Sequence, residues 1–180
     1  MPLLTKSGRP KRFFDGLAAH YDRINARIYK RERLDRVRHA VKGERVLDVG
    51  VGTGFTTRHL ENAVGIDLPR EMLRHARCRG HIAQADFMRP PFRGPMFDTI
   101  VFAGSFSYLP SAAEGMRIAA DLLRPDSRVV ILSPATLLLA AFAPAYTESD
   151  YREFAEHAGL RPVSYERLDR AACLVISEKP

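Results

Sequence analysis

The sequence predicts an α/β chain with a doubly wound, mostly parallel seven-stranded sheet, an antiparallel last strand and a helical segment in front. Three observations carry that expectation. From residue 45 onward, short apolar runs alternate with amphipathic stretches, the pattern of parallel strands with crossover helices. A glycine-rich turn follows the first apolar run, at residues 50–54. The last two apolar runs are joined only by the short polar link Arg167–Arg170, too short for a parallel crossover.

Taken in order, residues 1–12 read as a basic tail. From Phe13 to about Ala40, apolar residues recur at helical spacing (Phe14, Leu17, Tyr21, Ile24, Ile28, then Leu34 and Val37), which predicts one or two helices. Strands are expected near 45–49, 63–67, 81–84, 97–103, 127–132, 161–166 and 172–177. Helices are expected near 55–61, 69–79, 111–123 and 148–158. Pro69 suits a first helical turn, where its missing N–H costs nothing. Ser111 followed by Glu114 has the form of a capping box, and Gly159 stands where a helix stops. The organisation is thus a basic tail and N-terminal helical lid, residues 1–44, before a single core domain, residues 45–180.

Composition narrows the class. The chain of 180 residues is 46% apolar, enough for an ordinary core. Cys78 and Cys173 are its two cysteines, which leaves no disulfide framework and predicts no metal site. The longest apolar run, Leu137 to Ala143, is far short of a membrane span, and a cytoplasmic location is expected. The net charge is +7, and residues 1–45 hold 13 Lys or Arg against 5 Asp or Glu. A basic segment attracts nucleic acid, acidic lipid or a phosphorylated molecule, or is simply a solvated helix face.

The chemistry is concentrated at VLDVGVGTG, residues 46–54. Gly50, Gly52 and Gly54, with Thr53 between the last two, allow a tight turn that brings a ligand against backbone. In an open α/β sheet such a turn lies at the carboxyl end of the first strand, where ligands bind. The dinucleotide fingerprint needs glycine or alanine three residues after its second glycine; Phe55 and Thr57 fill those places. No Gly-Lys-Ser/Thr follows, so a phosphate-cradling loop is excluded. Asp48 stands two residues before Gly50. Its carboxylate would repel a pyrophosphate and attract a cation, as S-adenosylmethionine carries in its ammonium and sulfonium groups. Asp67 and Asp86 close the next two strands, placed to accept ribose hydroxyls and an adenine amino group, with Phe87 beside the ring.

Together these stretches resemble the class I S-adenosylmethionine-dependent methyltransferases. VLDVGVGTG is similar to their first motif, GIDLPREML to the acidic ribose loop, and QADFMRPPF to the adenine-binding stretch. FDTIVFAGSFSYL and LLRPDSRVVILSP are similar to their fourth and fifth strands. The resemblance implies that Asp48, Gly50, Gly52, Thr53 and Gly54 hold the methionyl part of the cofactor. It implies Asp67, Leu68 and Met72 for the ribose side, Asp86 and Phe87 for the adenine edge, and Ala103 near the sulfonium. S-adenosylhomocysteine would be the product. FDGLAAHYDRIN, residues 14–25, resembles the helix before the core in the ubiquinone/menaquinone C-methyltransferase group, where the pair matching Tyr21-Asp22 lies on a lid.

Methyl transfer needs orientation, exclusion of water and, for a carbon or oxygen acceptor, a base. Tyr108, Tyr21 and His20 are the candidates. About 15 residues separate the fifth strand from the next helix, too few for a deep cap, and this shallow side is compatible with a homodimer. No Asn/Asp-Pro-Pro-Tyr follows strand four, against amino-group methylation of adenine or glutamine. The apolar run in 135–146 reads as a core helix or as the wall of a lipophilic pocket. The expected acceptor is a small lipophilic or anionic molecule, quinone- or lipid-like, with peripheral membrane contact. The alternatives are an RNA or ribosome methyltransferase using the basic segment, and a non-catalytic cofactor-binding subunit.

Overall fold

A computed structural model describes residues 30–57, 60–78, 80–135 and 144–180. Tyr21, His20 and the segment of residues 13–29 lie outside the described residues, as does most of the apolar run at 136–143.

The described chain runs α1 (Arg31–Ala40), β1 (Val46–Val49), β2 (Ala63–Asp67), α2 (Arg70–Arg74), β3 (His81–Gln84) and β4 (Phe97–Ala103). A single 3₁₀ turn (Phe106–Tyr108) leads to α3 (Ala112–Leu122), β5 (Leu123–Pro134), α4 (Glu148–His157), β6 (Arg161–Arg167) and β7 (Ala172–Glu178). The seven strands form one sheet in the order β3-β2-β1-β4-β5-β7-β6. The first five strands pair parallel, and β7 is antiparallel to both β5 and β6. The fold class is the one expected, including the antiparallel final pair.

Period-two alternation sorts the strand residues onto two buried faces. Leu47, Val49, Ile100, Phe102, Val129 and Ile131 join Met116 and Ala119 of α3 and Tyr151 and Ala155 of α4. On the opposite face Val46, Val101, Val130, Leu132 and Leu174 pack with Leu34, Val37 and Ala40 of α1. The central strands are apolar on both faces because helices cover both. α1 is therefore a sheet-packing helix over its described length.

Arginines on α1 fasten it to the far end of the chain. Arg33 is buried and donates through Nε to Asp169 Oδ2 at 2.8 Å, in the β6–β7 turn, and Arg36 pairs with Glu166 of β6. Arg38 pairs with Asp35 at 2.7 Å and also donates to the carbonyls of Thr56 and Phe55. The backbone N–H of Ala171, then the Arg33 guanidinium, holds the Asp169 carboxyl below its ordinary value of 3.8. A carboxyl lowered on folding contributes stability that is present above its unfolded value and lost as pH falls through the folded one. Asp169→Asn should therefore lower the urea midpoint at pH 7 and lose that deficit relative to wild type as pH falls below about 4; an unchanged midpoint at pH 7 would show the clamp to be idle.

Two helices differ from expectation. Residues 55–57 and 60–62 are turns and coil, where a helix over 55–61 was expected. Thr56 and Thr57 are buried; β-branched residues are indifferent helix formers, and the Thr57 hydroxyl is committed to Asp48. The helix expected over 69–79 stops at Arg74, because the chain then docks on the glycine turn, Arg77 N–H donating to the Thr53 carbonyl at 2.9 Å. Pro69 takes the N-cap position. Ser111 caps α3 by accepting from Glu114 N–H at 3.3 Å, while the Glu114 side chain turns to Arg117. A full capping box stands instead at α4, where Thr147 and Asp150 each receive a backbone N–H from the other. Gly159 adopts φ +73 beyond α4, as its sequence position suggested. β5 begins four residues earlier than expected, at Leu123. No helix among the described residues is long and apolar enough to cross a membrane.

Candidate active site

The strand order reverses between β1 and β4, and the loops leaving their carboxyl ends diverge around a crevice. The turn after β1 forms one wall. Gly50 and Val51 N–H donate to the Ile66 carbonyl of β2 at 2.8 and 3.1 Å, and Gly54 N–H to the Val51 carbonyl at 2.8 Å. Gly50 (φ +71) and Gly54 (φ +80) are left-handed, and space enforces the choice as well as angle. A Cβ on Gly50 would meet the Ser105 side chain, and one on Gly54 the Cys78 sulfur. The turn is thereby pressed between the β4 loop and the segment after α2. Ser105 Oγ completes the contact by donating to the Val49 carbonyl.

Asp48 lies under this turn, 1% exposed. Its Oδ2 accepts from Thr57 Oγ1 at 2.5 Å, and its Oδ1 is buried with no hydrogen-bond partner. Burial, partly offset by the Thr57 hydroxyl and reinforced by the charge of Asp67, pushes its carboxyl from 3.8 up to about 7. A buried acid with an unsatisfied oxygen is costly unless something occupies it.

Asp67 ends β2, as expected, and its carboxylate is engaged: Oδ2 accepts from Gly52 N–H at 2.7 Å and Oδ1 from Leu68 N–H at 2.8 Å. It thus joins the turn after β1 to the turn after β2. Leu68 is 46% exposed, while Met72 of α2 is buried. Asp86 follows β3 and accepts from Met88 N–H at 2.9 Å, with its other oxygen 3.9 Å from Arg89 Nε. The Phe87 ring turns inward, edge-on to Phe102 at 5.2 Å between centroids. Ala103, half-buried, ends β4 at the mouth of the crevice. The glycine turn and the three acids therefore stand at the carboxyl ends of consecutive parallel strands.

A family model described as a methyltransferase domain matches residues 47–131, the stretch that contains all of these groups. The chain is 28% identical over 152 residues to a demethylmenaquinone methyltransferase of Corynebacterium kroppenstedtii, covering 76% of this chain and 65% of that protein. It is 27% identical over 169 residues to the ubiquinone/menaquinone biosynthesis C-methyltransferase UbiE of Geotalea uraniireducens, covering 80% and 71%. The chain thus spans less than two thirds of the Corynebacterium relative. A SAM-dependent methyltransferase of Thermotoga maritima shares the fold at a TM-score of 0.81 with 14% identity, over 94% of this chain and 99% of that one. The matched stretch is a methyltransferase domain, and the chain is similar to the class I S-adenosylmethionine-dependent methyltransferases in sequence and in fold.

The loops that follow β4 and β5 leave the same end of the sheet as the glycine turn. Tyr108, a candidate base, closes the 3₁₀ turn, and burial pushes its hydroxyl above 10. At neutral pH it keeps its proton, so it can donate a hydrogen bond and is poorly suited to take a proton. Beside it, Ser107 and Ser133 share a buried hydroxyl pair at 3.0 Å. Tyr146, which follows the residues left undescribed, packs edge-on against Phe106 at 6.2 Å, Tyr151 at 5.8 Å and Phe154 at 5.3 Å. This aromatic group borders the same end of the sheet.

Three residues that shape the site stand outside the motif expectations: Thr57, Ser105 and Cys78. Thr57 carries a signal in its spacing, nine residues from Asp48 on the far side of one turn. Ser105 and Cys78 reach the glycines only through tertiary packing, which no local pattern announces.

Proposed function

We propose that the chain transfers the methyl group of S-adenosylmethionine to a small lipophilic or anionic acceptor of quinone-like chemistry. The observation that carries the donor is the unpartnered, buried Oδ1 of Asp48 beneath the glycine turn. An ammonium group would satisfy both its hydrogen-bonding capacity and its charge. In this reading Asp48 takes the amino-acid end, Gly50, Gly52, Thr53 and Gly54 form a backbone cradle, and Asp67 with Leu68 and Met72 takes the ribose side. Asp86 and the backbone at Phe87 take the adenine edge, and Ala103 borders the sulfonium. The acceptor class is supported by the relatives named for quinone methylation.

The cofactor supplies an activated methyl carbon. Held by Asp48 and the glycine turn, it would offer that carbon to an acceptor with sulfur as the leaving group, and a carbon or oxygen acceptor would give up its proton to solvent. Residues around β4 and β5 orient the acceptor and exclude water, the chief contributions open to the protein in an in-line transfer. Tyr108 serves as a hydrogen-bond donor to the acceptor. Tyr21 and Asp22, outside the described residues, are proposed as lid residues on the sequence resemblance alone.

Transfer to RNA draws less support. Of the basic residues in the N-terminal quarter, Arg33, Arg36, Arg38 and Lys42 bond within the chain, which leaves them committed to internal partners. The decisive experiment is calorimetry with S-adenosylhomocysteine and with NADH, followed by labelled methyl transfer in lysate separated into lipid, small-molecule, protein and RNA fractions. Binding of the first ligand alone is expected, with label in the lipid or small-molecule fractions. Binding of NADH would overturn the donor, and label confined to RNA would overturn the acceptor.

A further inference from the structure

The two oxygens of Asp48 are treated unequally. Oδ2 receives a short hydrogen bond from Thr57 Oγ1, and Oδ1, equally buried, receives none. We propose that Thr57 is the positioning residue of the cofactor site, fixing the Asp48 carboxylate so that Oδ1 is presented to the cofactor's ammonium, and that cofactor capture expels a proton from Asp48. This rests on the donor reading above.

Three features lead there. First, Thr57 is 3% exposed, so its hydroxyl has no access to bulk water and its donor is spent on one acceptor. It stands in a turn, nine residues along the chain from Asp48. Second, among the described residues, the charged groups that face Asp48 do not neutralise it. Asp67, from the end of β2, adds like charge. Cys78, beyond α2, is itself pushed up by burial and by Asp48 and stays a neutral thiol. Arg38 of α1 points to the Phe55 and Thr56 carbonyls on the outside of the turn, and neighbouring Val101 of β4 and Gly65 of β2 carry no charge. No ion pair reaches Asp48 among the described residues. Third, Thr57 is the group that favours the ionised form, working against burial.

The consequence has a definite sign. With its carboxyl near 7, the ligand-free acid carries a proton for much of the time at neutral pH, whereas an ammonium partner requires the anion. Affinity should rise with pH up to about 7 and then level. Its limiting slope is tenfold per pH unit on the acid side. Removal of the Thr57 hydroxyl should move the levelling point to higher pH.

The test is calorimetric titration with S-adenosylhomocysteine, which keeps the ammonium and lacks the sulfonium, from pH 6 to pH 8 in two buffers of different ionisation heat. Wild type should release close to one proton per ligand at pH 6 and few at pH 8. Thr57→Val should bind roughly tenfold more weakly at pH 7, with its pH profile displaced upward, and Thr57→Ser should restore both. Binding without proton release and with a flat profile in wild type would overturn this proposal while leaving the donor assignment standing, whatever the fold of the Val variant. No binding of S-adenosylhomocysteine at any pH by folded wild type would overturn the donor assignment itself.

Discussion

Asp48→Asn is expected to weaken S-adenosylhomocysteine binding by about a hundredfold or more at pH 8, and at the same pH to make the ligand-free chain more stable. The first effect follows from removing the charged member of a buried, hydrogen-bonded pair, a loss of roughly 2–5 kcal/mol. The second follows from the displaced titration. The unfolded carboxyl releases its proton near 3.8, the folded one near 7. Between those values the folded chain holds a proton that the unfolded chain has lost, so stability falls as pH rises through the window and the deficit is complete above it. A shift of that size corresponds to about 4 kcal/mol at its upper bound, of which a buried asparagine, itself needing partners, would recover on the order of 2 kcal/mol. Urea unfolding at pH 5 and pH 8 reads the difference: the variant should lose less stability than wild type between the two. Equal losses would show that Asp48 ionises freely in the folded chain. The site is in this respect a stored cost that the ligand relieves.

Gly50→Ala should abolish cofactor binding and lower the thermal midpoint by about 10 °C. The alanine must adopt a left-handed conformation at φ +71, which costs roughly 1–2 kcal/mol. Its Cβ also enters the space of the Ser105 side chain, so either the turn or the β4 loop must shift, at roughly another 1–3 kcal/mol. For a domain of this size each kcal/mol is worth about 2–4 °C. The two costs separate in a double-mutant cycle with Ser105→Gly. That change removes the collision while leaving the backbone angle, so the pair should recover part of the midpoint. Additive effects would show that the crowding in the structure is without consequence. The donor from Ser105 to the Val49 carbonyl is lost in the same variant, which sets a ceiling on the recovery.

The parts of the molecule that were legible in the sequence are those governed by local pattern. Every strand lies within a few residues of its expected place, and the central ones carry the clearest signal: β1 is buried throughout, and β4 and β5 hold the buried apolar runs Ile100–Phe102 and Val129–Leu132. The antiparallel end of the sheet followed from the brevity of the β6–β7 link. Asp48, Asp67 and Asp86 could be located because each marks a strand end, a position defined by chain order alone. What failed was decided by tertiary packing. The expected helix at 55–61 has the right periodicity, but the Thr57 hydroxyl bonds to Asp48 and the Arg38 side chain engages the Phe55 and Thr56 carbonyls. The helix at 69–79 is cut short by the docking of Arg77 on Thr53. Packing likewise sets the neighbour of the Phe87 ring, which meets Phe102 edge-on. A residue type tells what a side chain can do, and only the fold tells which neighbour claims it.

Asp67 holds one amide in each of two separate turns, Gly52 after β1 and Leu68 after β2. Those turns are consequently not independent walls. Each is splinted to the other through a single carboxylate, so neither can open by itself without breaking a charge-assisted bond at the same atom group. A ligand that pulls one wall inward drags its counterpart along, and the crevice closes with one joint coordinate in place of two.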